Sequence, residues 1–487
     1  MTYAEAVAHL YALGPELPVS AAPAGTVQAP RRKFDLAHMR VLCAALGDPQ
    51  QRVPSVLIAG TNGKGSTAAT LASILASAGC RTGLYTSPHL RRVNERIQVS
   101  GASGFECIAD QDFARLYTRV DLACEELVAE GKLPATPSFF ERVTAVAFLY
   151  FAEGTVDGKP RAEIVVLEVG LGGRLDATNV VEPLISVVTD IALDHQEYLG
   201  NTIAEIAREK CGILRRHGTL ITLPQHPEAN QAIGEVATAL EVRAINAAAY
   251  LPPAVRNDAV RASHESTLPR NRYTLNLEAA GLLEVDSPLA GQHQQRNIAL
   301  AIAAALELRN QHGYNIPNAA MEQGIRNTSW PGRLETIGHD VLLDVAHNPA
   351  GAWTLRAAIA ALPESQPRTL VFSCLRDKSL TEMSRILFPL FDSSPDGDPL
   401  RRRDHILLAP IASPRAAPVE ELLGAAQAMG VPAEAVPSLA DALARAKQLT
   451  PAGGLIIATG SVYLVGEIRD LALELETGPV EAALATA

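Results

Sequence analysis

The segment Ala59-Gly60-Thr61-Asn62-Gly63-Lys64-Gly65-Ser66-Thr67 constrains this chain more than any other. The apolar run Val53–Ala59 before it reads as a buried strand, and Ser66–Ala78 after it as a helix ended by Gly79. A glycine-rich turn between strand and helix lets backbone N–H groups turn inward around phosphate oxygens, and the helix N-terminus adds favourable partial charge. Lys64 would reach the β- and γ-phosphates, and Ser66 or Thr67 would approach phosphate or Mg²⁺. The loop departs from GxxxxGK[ST], because Gly65 separates the lysine from Ser66. An ordinary glycine-rich turn is the alternative, and the coincidence of strand, loop, lysine and helix favours phosphate binding.

The alternation of strand and helix continues along the chain. Thr82–Tyr85, Glu163–Val169 and Leu184–Thr189 read as further buried strands of a mainly parallel sheet covered on both faces. Arg272–Leu277 suits a short antiparallel strand, and Gln295–Leu308 a helix. Trp330-Pro331-Gly332 interrupts the pattern as a linker. Beyond it Val341–Val345, Thr369–Cys374, His405–Leu408 and Gly454–Ala458 are strand candidates, and Asp392–Asp404 reads as an exposed loop. The expectation is a two-domain α/β protein, with domains at 1–328 and 333–487 and a linker at about 328–333.

Composition sets limits on function. With 42 Lys and Arg against 53 Asp and Glu, the net charge of −11 argues against a large nucleic-acid footprint. No run of about 18 apolar residues suggests a membrane span, and Met1–Leu13 lacks the pattern of a signal peptide. The six cysteines show no CxxC pairing, which fits a reducing cytosol and suggests neither a disulfide framework nor zinc. A cytoplasmic monomer is the default expectation.

The string GTNGKGST resembles the phosphate loop of the Mur ligase superfamily. Thr86-Ser87-Pro88-His89-Leu90, with Asn94-Glu95-Arg96-Ile97 after it, narrows the resemblance to folylpolyglutamate synthases and dihydrofolate synthases. LEVGLGGRLDATN at Leu167–Asn179, Leu193-Asp194-His195, REKCGI at Arg208–Ile213 and Asp344-Val345-Ala346-His347-Asn348-Pro349 follow in that family's order. The match runs from Phe34 to about Gly466, and Lys64-Gly65-Ser66 stands where the peptidoglycan branch usually has Lys-Thr-Thr.

The resemblance implies a Mur-ligase-like fold, with a P-loop-type N-terminal domain and a smaller Rossmann-like C-terminal domain. It implies ATP-dependent joining of L-glutamate to dihydropteroate and to reduced folates through an acyl phosphate. A tail-extending synthase alone, a Mur-type peptide ligase and a nucleotide-binding regulator are the rivals. ATP would lie on Thr61, Asn62, Gly63, Lys64, Gly65, Ser66 and Thr67, with Asn297, Arg333 and Asp344 as further contacts. Mg²⁺, as two ions, would be held by Ser87, Glu168 and His195, and a monovalent cation is a further option. Alone, His195 reads as a polar loop residue or a capping neighbour of Asp194.

Lys210 matches the lysine that is carbamylated in this family, although in AREK it also reads as a solvated helix lysine. Lys64, Lys210 and His347 are the catalytic candidates, and Asp344 with His347 could equally be a structural cap. The pterin pocket maps onto Phe34, Asp35 and Leu36, onto Ser138, Phe139, Phe140 and Glu141, and onto Leu175, Asp176 and Ala177. Plain core packing is as good a reading for Phe139.

Overall fold

A computed structural model describes residues 1–14, 36–154, 158–253, 268–278 and 281–485. Phe34 and Asp35 lie outside the described residues. The chain divides into two compact units. One comprises Met1–Pro252, Arg272–Ser287 and Gln294–Ser329, and the other Pro253–Asn271, Pro288–His293 and Trp330–Ala487.

The first unit is built on eight strands: β1 (Ser55–Ala59), β2 (Thr82–Tyr85), β3 (Ile97–Gly101), β4 (Gly104–Cys107), β5 (Ile164–Glu168), β6 (Ile185–Val188), β7 (Thr219–Thr222) and β8 (Arg243–Asn246). Their order is β4-β3-β2-β5-β1-β6-β7-β8. The strands from β2 to β8 in that order run parallel, and β3 and β4 extend the β2 edge antiparallel. The central strands β1, β5 and β6 are buried along their whole length, which explains their unbroken apolar sequences.

The helix Lys64–Ser77 starts two residues before the sequence-expected Ser66 and is buried nearly all round, from Gly65 to Leu75. Its small residues admit a close neighbour. A side chain on Gly324, in the helix Asn318–Arg326, would come within 2.3 Å of the Ile74 Cα. Ser73 Oγ donates to the Gly324 carbonyl at 2.7 Å, so the helix that begins in the phosphate loop is held firmly. Two short strands, β9 (Asn271–Asn276) and β10 (Leu282–Ser287), form a separate small sheet.

The second unit carries β11 (Arg333–Ile337), β12 (Val341–Asp344), β13 (Arg368–Phe372), β14 (His405–Leu408), β15 (Glu434–Ala435) and β16 (Leu455–Thr459), ordered β11-β12-β16-β13-β14-β15. Only β11 is antiparallel to its neighbour. Leu342, Leu370, Phe372, Leu408 and Ile457 anchor its core. Asp392–Asp404 is not wholly the exposed loop expected. Arg401 and Asp404 are buried and paired at 3.0 Å, and Asp404 Oδ1 accepts from the Arg368 N–H at 2.8 Å. Polar composition suggested solvent there, but a satisfied ion pair permits burial.

Candidate active site

Four neighbouring parallel strands, β2, β5, β1 and β6, end at one edge of the first sheet. Their registers are level: Tyr85 pairs with Leu167, Ile58 with Glu168, and Ala59 with Val188. The residues just past the strand ends are therefore neighbours. These are Ser87 after β2, Glu168 closing β5, the 60–67 loop after β1, and Thr189-Asp190 after β6. Ligand sites of open α/β sheets form at this carboxyl edge.

The phosphate loop is fixed by close approach. A Cβ on Gly60 would lie 1.8 Å from Thr189 Oγ1, and one on Gly63 (φ +89) would lie 2.2 Å from Asn297 Oδ1. Thr61 and Asn62 donate their backbone N–H groups to the Asp190 carbonyl at 2.8 and 3.1 Å. Thr61 Oγ1 donates to the Ala192 carbonyl and accepts from the Ala192 N–H, at 3.1 and 3.0 Å. The hydroxyl and N–H of Thr61 thus staple the loop. The groups left for phosphate are the first-turn N–H donors of Lys64, Gly65 and Ser66, which have no acceptor within the helix. Thr67 Oγ1 is buried and has no hydrogen-bond partner among the described residues. An orphaned hydroxyl in this turn suits an oxygen-rich ligand such as a phosphate with its Mg²⁺.

Two lysines meet behind the loop. Lys64 Nζ donates to the Gly60 and Thr61 carbonyls at 3.1 and 3.2 Å, and Lys210 Nζ donates to the same Gly60 oxygen at 2.7 Å. Lys210 closes the helix Ile203–Lys210 and is buried. Burial first, and the Lys64 cation second, pull its pKa down to about 7, against opposing pulls from Asp194 and Asp176. Its solvated-helix alternative therefore fails.

The 170–179 loop is knotted by Asp176, whose carboxylate accepts from the N–H groups of Gly170, Leu171 and Thr178 and from Thr178 Oγ1. Burial raises its pKa. Gly173 lies flat on the end of the Lys210 helix, where a Cβ would come within 2.5 Å of the Lys210 carbonyl. Leu175 is half-buried and Ala177 buried. The helix Leu36–Ala45 packs on the turn Ala177–Val180, as does the helix Phe139–Ala152. The helix Leu36–Ala45, the Phe139 helix and the turn Ala177–Val180 are thus assembled together.

Within that group the side chains divide. Ser138 and Glu141 form a reciprocal capping box that starts the Phe139 helix. Phe139 is 3% exposed, under the Arg96 guanidinium and beside Tyr11, and is core. Phe140 is half-buried and covers Gly170, where a Cβ would lie 2.5 Å from its ring. Its ring lies against the loop that follows β5.

Glu168 Oε2 accepts from the Ser87 N–H at 3.1 Å, which joins two of the metal candidates. His195 stands at φ +50, its N–H on Asp194 Oδ1 at 2.9 Å, at the start of the short helix Gln196–Leu199. Among the described residues no three His, Cys, Asp or Glu side chains form a metal-holding group. A hard ion at the Ser87–Glu168 contact would rest on Glu168 and Ser87 oxygens, phosphate and water, which fits Mg²⁺.

In the second unit Arg333 and Asp344 are paired across β11 and β12. Asp344 is buried, accepts from the Leu334 and Ala346 N–H groups at 3.0 and 2.9 Å, and has its pKa raised by burial, against the Arg333 cation. His347 Nδ1 lies 2.8 Å from the Val345 carbonyl, and Asn348, not Asp344, caps the helix Pro349–Ala360.

Over 440 residues, 90% of this chain and 94% of its counterpart, the sequence is 34% identical to the dihydrofolate synthase/folylpolyglutamate synthase of Bacillus subtilis. The chain belongs to the dihydrofolate synthase/folylpolyglutamate synthase family. Residues 153–305 match the Mur ligase middle domain, and 332–462 the Mur ligase, glutamate ligase domain. A Mycobacterium tuberculosis folylpolyglutamate synthase complexed with ADP superposes with TM-score 0.79 at 29% identity, covering 96% of this chain and 98% of that one. Escherichia coli FolC in complex with DHPP and ADP gives 0.76 at 28%, covering 98% and 99%.

Sequence reasoning missed several groups around the synthase-family phosphate loop. Thr189 and Asp190 follow an apolar strand directly, the same strand-end position that singled out Glu168. Arg296, beside Asn297, grips Asp190, and Gln225 follows β7. Strand-end position was the available signal for Thr189 and Asp190. For Arg296 and Gln225 there was none beyond adjacency.

Proposed function

We propose that this ATP-dependent ligase joins L-glutamate both to dihydropteroate and to the γ-carboxylate of reduced folate glutamates. The observation that carries the reading is the shared edge of β2, β5, β1 and β6, where phosphate loop, Glu168 and Phe140 converge. A carboxylate oxygen of the folate attacks the γ-phosphorus of ATP and ADP leaves. The glutamate amine then attacks the acyl carbon, loses a proton, and phosphate departs. Bound Mg²⁺ would neutralise the anions that this chemistry crowds together. Ser87, Glu168 and His195 are assigned to hold it.

The N–H groups of Lys64, Gly65 and Ser66, with the Lys64 ammonium, bind and orient the phosphates. Lys64 must release the Gly60 and Thr61 carbonyls to do so. Asn297 backs the loop at Gly63 and is assigned to the nucleotide. Phe140 offers its ring to the pterin, with Leu36, Leu175 and Ala177 as apolar lining. In the second unit Arg333, Asp344 and His347, at the carboxyl end of β12, are assigned to nucleotide and glutamate.

Lys210 is assigned as a carbamate. Its neutral amine adds CO₂ and loses a proton, turning a buried cation into an anion beside Lys64. A pKa of about 7 supports this, because the neutral form is then plentiful at physiological pH. The enzyme is proposed to act as a cytoplasmic monomer. All six cysteines are free, and no described helix is long and apolar enough to cross a membrane. ADP release that requires Mg²⁺, a folate acceptor and L-glutamate together tests the reading. Release without an acceptor would instead mark a simple ATPase.

A further inference from the structure

The turn Thr189–Ala192 lies between the phosphate loop and two side chains that the ligation chemistry does not use. On its inner side the Asp190 carbonyl accepts from Thr61 and Asn62, and Thr189 Oγ1 donates to the Asn62 carbonyl at 2.8 Å. On its outer side the Arg296 guanidinium holds both Asp190 carboxylate oxygens, Nε to Oδ2 at 2.8 Å and Nη2 to Oδ1 at 2.5 Å. The same Nη2 reaches the Pro224 carbonyl at 3.0 Å. Gln225 accepts from the Ile191 N–H at 2.7 Å through Oε1 and donates to the Thr189 carbonyl at 3.4 Å through Nε2.

We propose that Arg296 is a positioning residue for nucleotide binding: by clamping the Asp190 turn, with Gln225 beside it, it fixes the Thr61–Asn62 limb of the phosphate loop. Fixing that limb aims the first-turn N–H groups at the ATP phosphates. A planar fork that makes two parallel bonds to a carboxylate sets orientation as well as distance, which a lysine cannot do. Asn297, the next residue on the helix Gln292–Gln311, abuts Gly63 on the loop's other limb. One helix therefore braces the loop on both limbs.

The pair is partly solvent-exposed, with 29% of the Arg296 side chain and 38% of the Asp190 side chain accessible. Exposed pairs contribute little to global stability. The expected consequence is local, on the loop that the turn supports. The inference rests on the reading that this loop binds ATP.

The test is calorimetric titration of Mg²⁺-ATP into the wild-type protein and into the Arg296→Ala, Arg296→Lys and Asp190→Asn variants, with KM values for ATP, folate and glutamate in parallel. The expected result is about tenfold weaker ATP binding in all three variants, which corresponds to about 1.4 kcal/mol. The KM for ATP should rise by the same factor, with those for folate and glutamate and the Tm little changed. A charge-swapped Asp190→Arg/Arg296→Asp double variant should recover part of the loss. Unchanged ATP affinity in folded Arg296→Lys overturns the proposal. So does a uniform loss in which Tm and all three KM values worsen together. A wild-type protein that binds ATP but does not turn over folate sinks the ligase reading, and the binding comparison still decides the role of Arg296.

Discussion

Lys64 and Lys210 converge on one oxygen, the Gly60 carbonyl, at 3.1 and 2.7 Å. Burial first, and then repulsion between the two ammonium groups on this single acceptor, pull Lys210 down to about 7. The arrangement stores an unfavourable contact that carbamylation of Lys210 would convert into an attraction.

Stability should follow this lysine. Its folded pKa of about 7 lies below the unfolded value of about 10.4, so the unfolded chain binds more protons between those limits. Kept free of CO₂, the protein should gain stability as pH rises from about 7 towards about 10. The gain is complete above the unfolded value and absent below pH 7. Urea midpoints across that range should show the slope, and Lys210→Met should abolish it and be more stable at pH 7. Turnover should fall below pH 7 and be partly restored by bicarbonate in the wild type but not in the variant.

Gly63→Ala should leave the fold intact and cripple the nucleotide site. The new methyl group meets Asn297 Oδ1 at 2.2 Å in a backbone conformation, φ +89, that favours glycine. ATP affinity should drop by at least about tenfold. Asn297→Ala added to it should relieve the contact but not the backbone strain, giving partial recovery by calorimetry.

The two adjacent phenylalanines should behave oppositely. Phe139→Ala should cost about 3–5 kcal/mol of stability, because the ring is core. Phe140→Ala should change the denaturant midpoint far less and raise the KM for the pterin substrate. Equal effects on both quantities in both variants would contradict the assignment.

Ser138→Ala should lower stability by about 1 kcal/mol, the worth of an N-cap, with the KM for folate unchanged. A raised KM in a stable variant would return Ser138 to the pterin pocket.

The strands β1, β2, β5 and β6 were legible because buried parallel strands carry unbroken apolar runs, whereas the short parallel strands β7 and β8 towards the sheet's far edge were not. Thr82–Tyr85, and His405–Leu408 in the second unit, match the strands residue for residue, and the other strands read from the sequence end within two residues. The antiparallel edge of β3 and β4 was not, since its exposed residues carry no core pattern. The phosphate loop was visible as a motif. What braces it was not, because Asp190 and Arg296 are 106 residues apart and only folding makes them partners. The pterin set shows the same limit. Residue types named Phe139 and Phe140 together, and only packing against Arg96 or Gly170 separates wall from core. Ser138 and Glu141 match a capping box as well as a pocket, and sequence alone cannot choose.

The most direct measurement is ADP release by the purified protein with Mg²⁺-ATP and L-glutamate, using dihydropteroate or tetrahydrofolate as acceptor. Turnover with both acceptors, each product heavier by one glutamyl residue, is the expected result. Silence with both, in folded protein that binds ATP, would contradict the assignment of this site to folate–glutamate ligation.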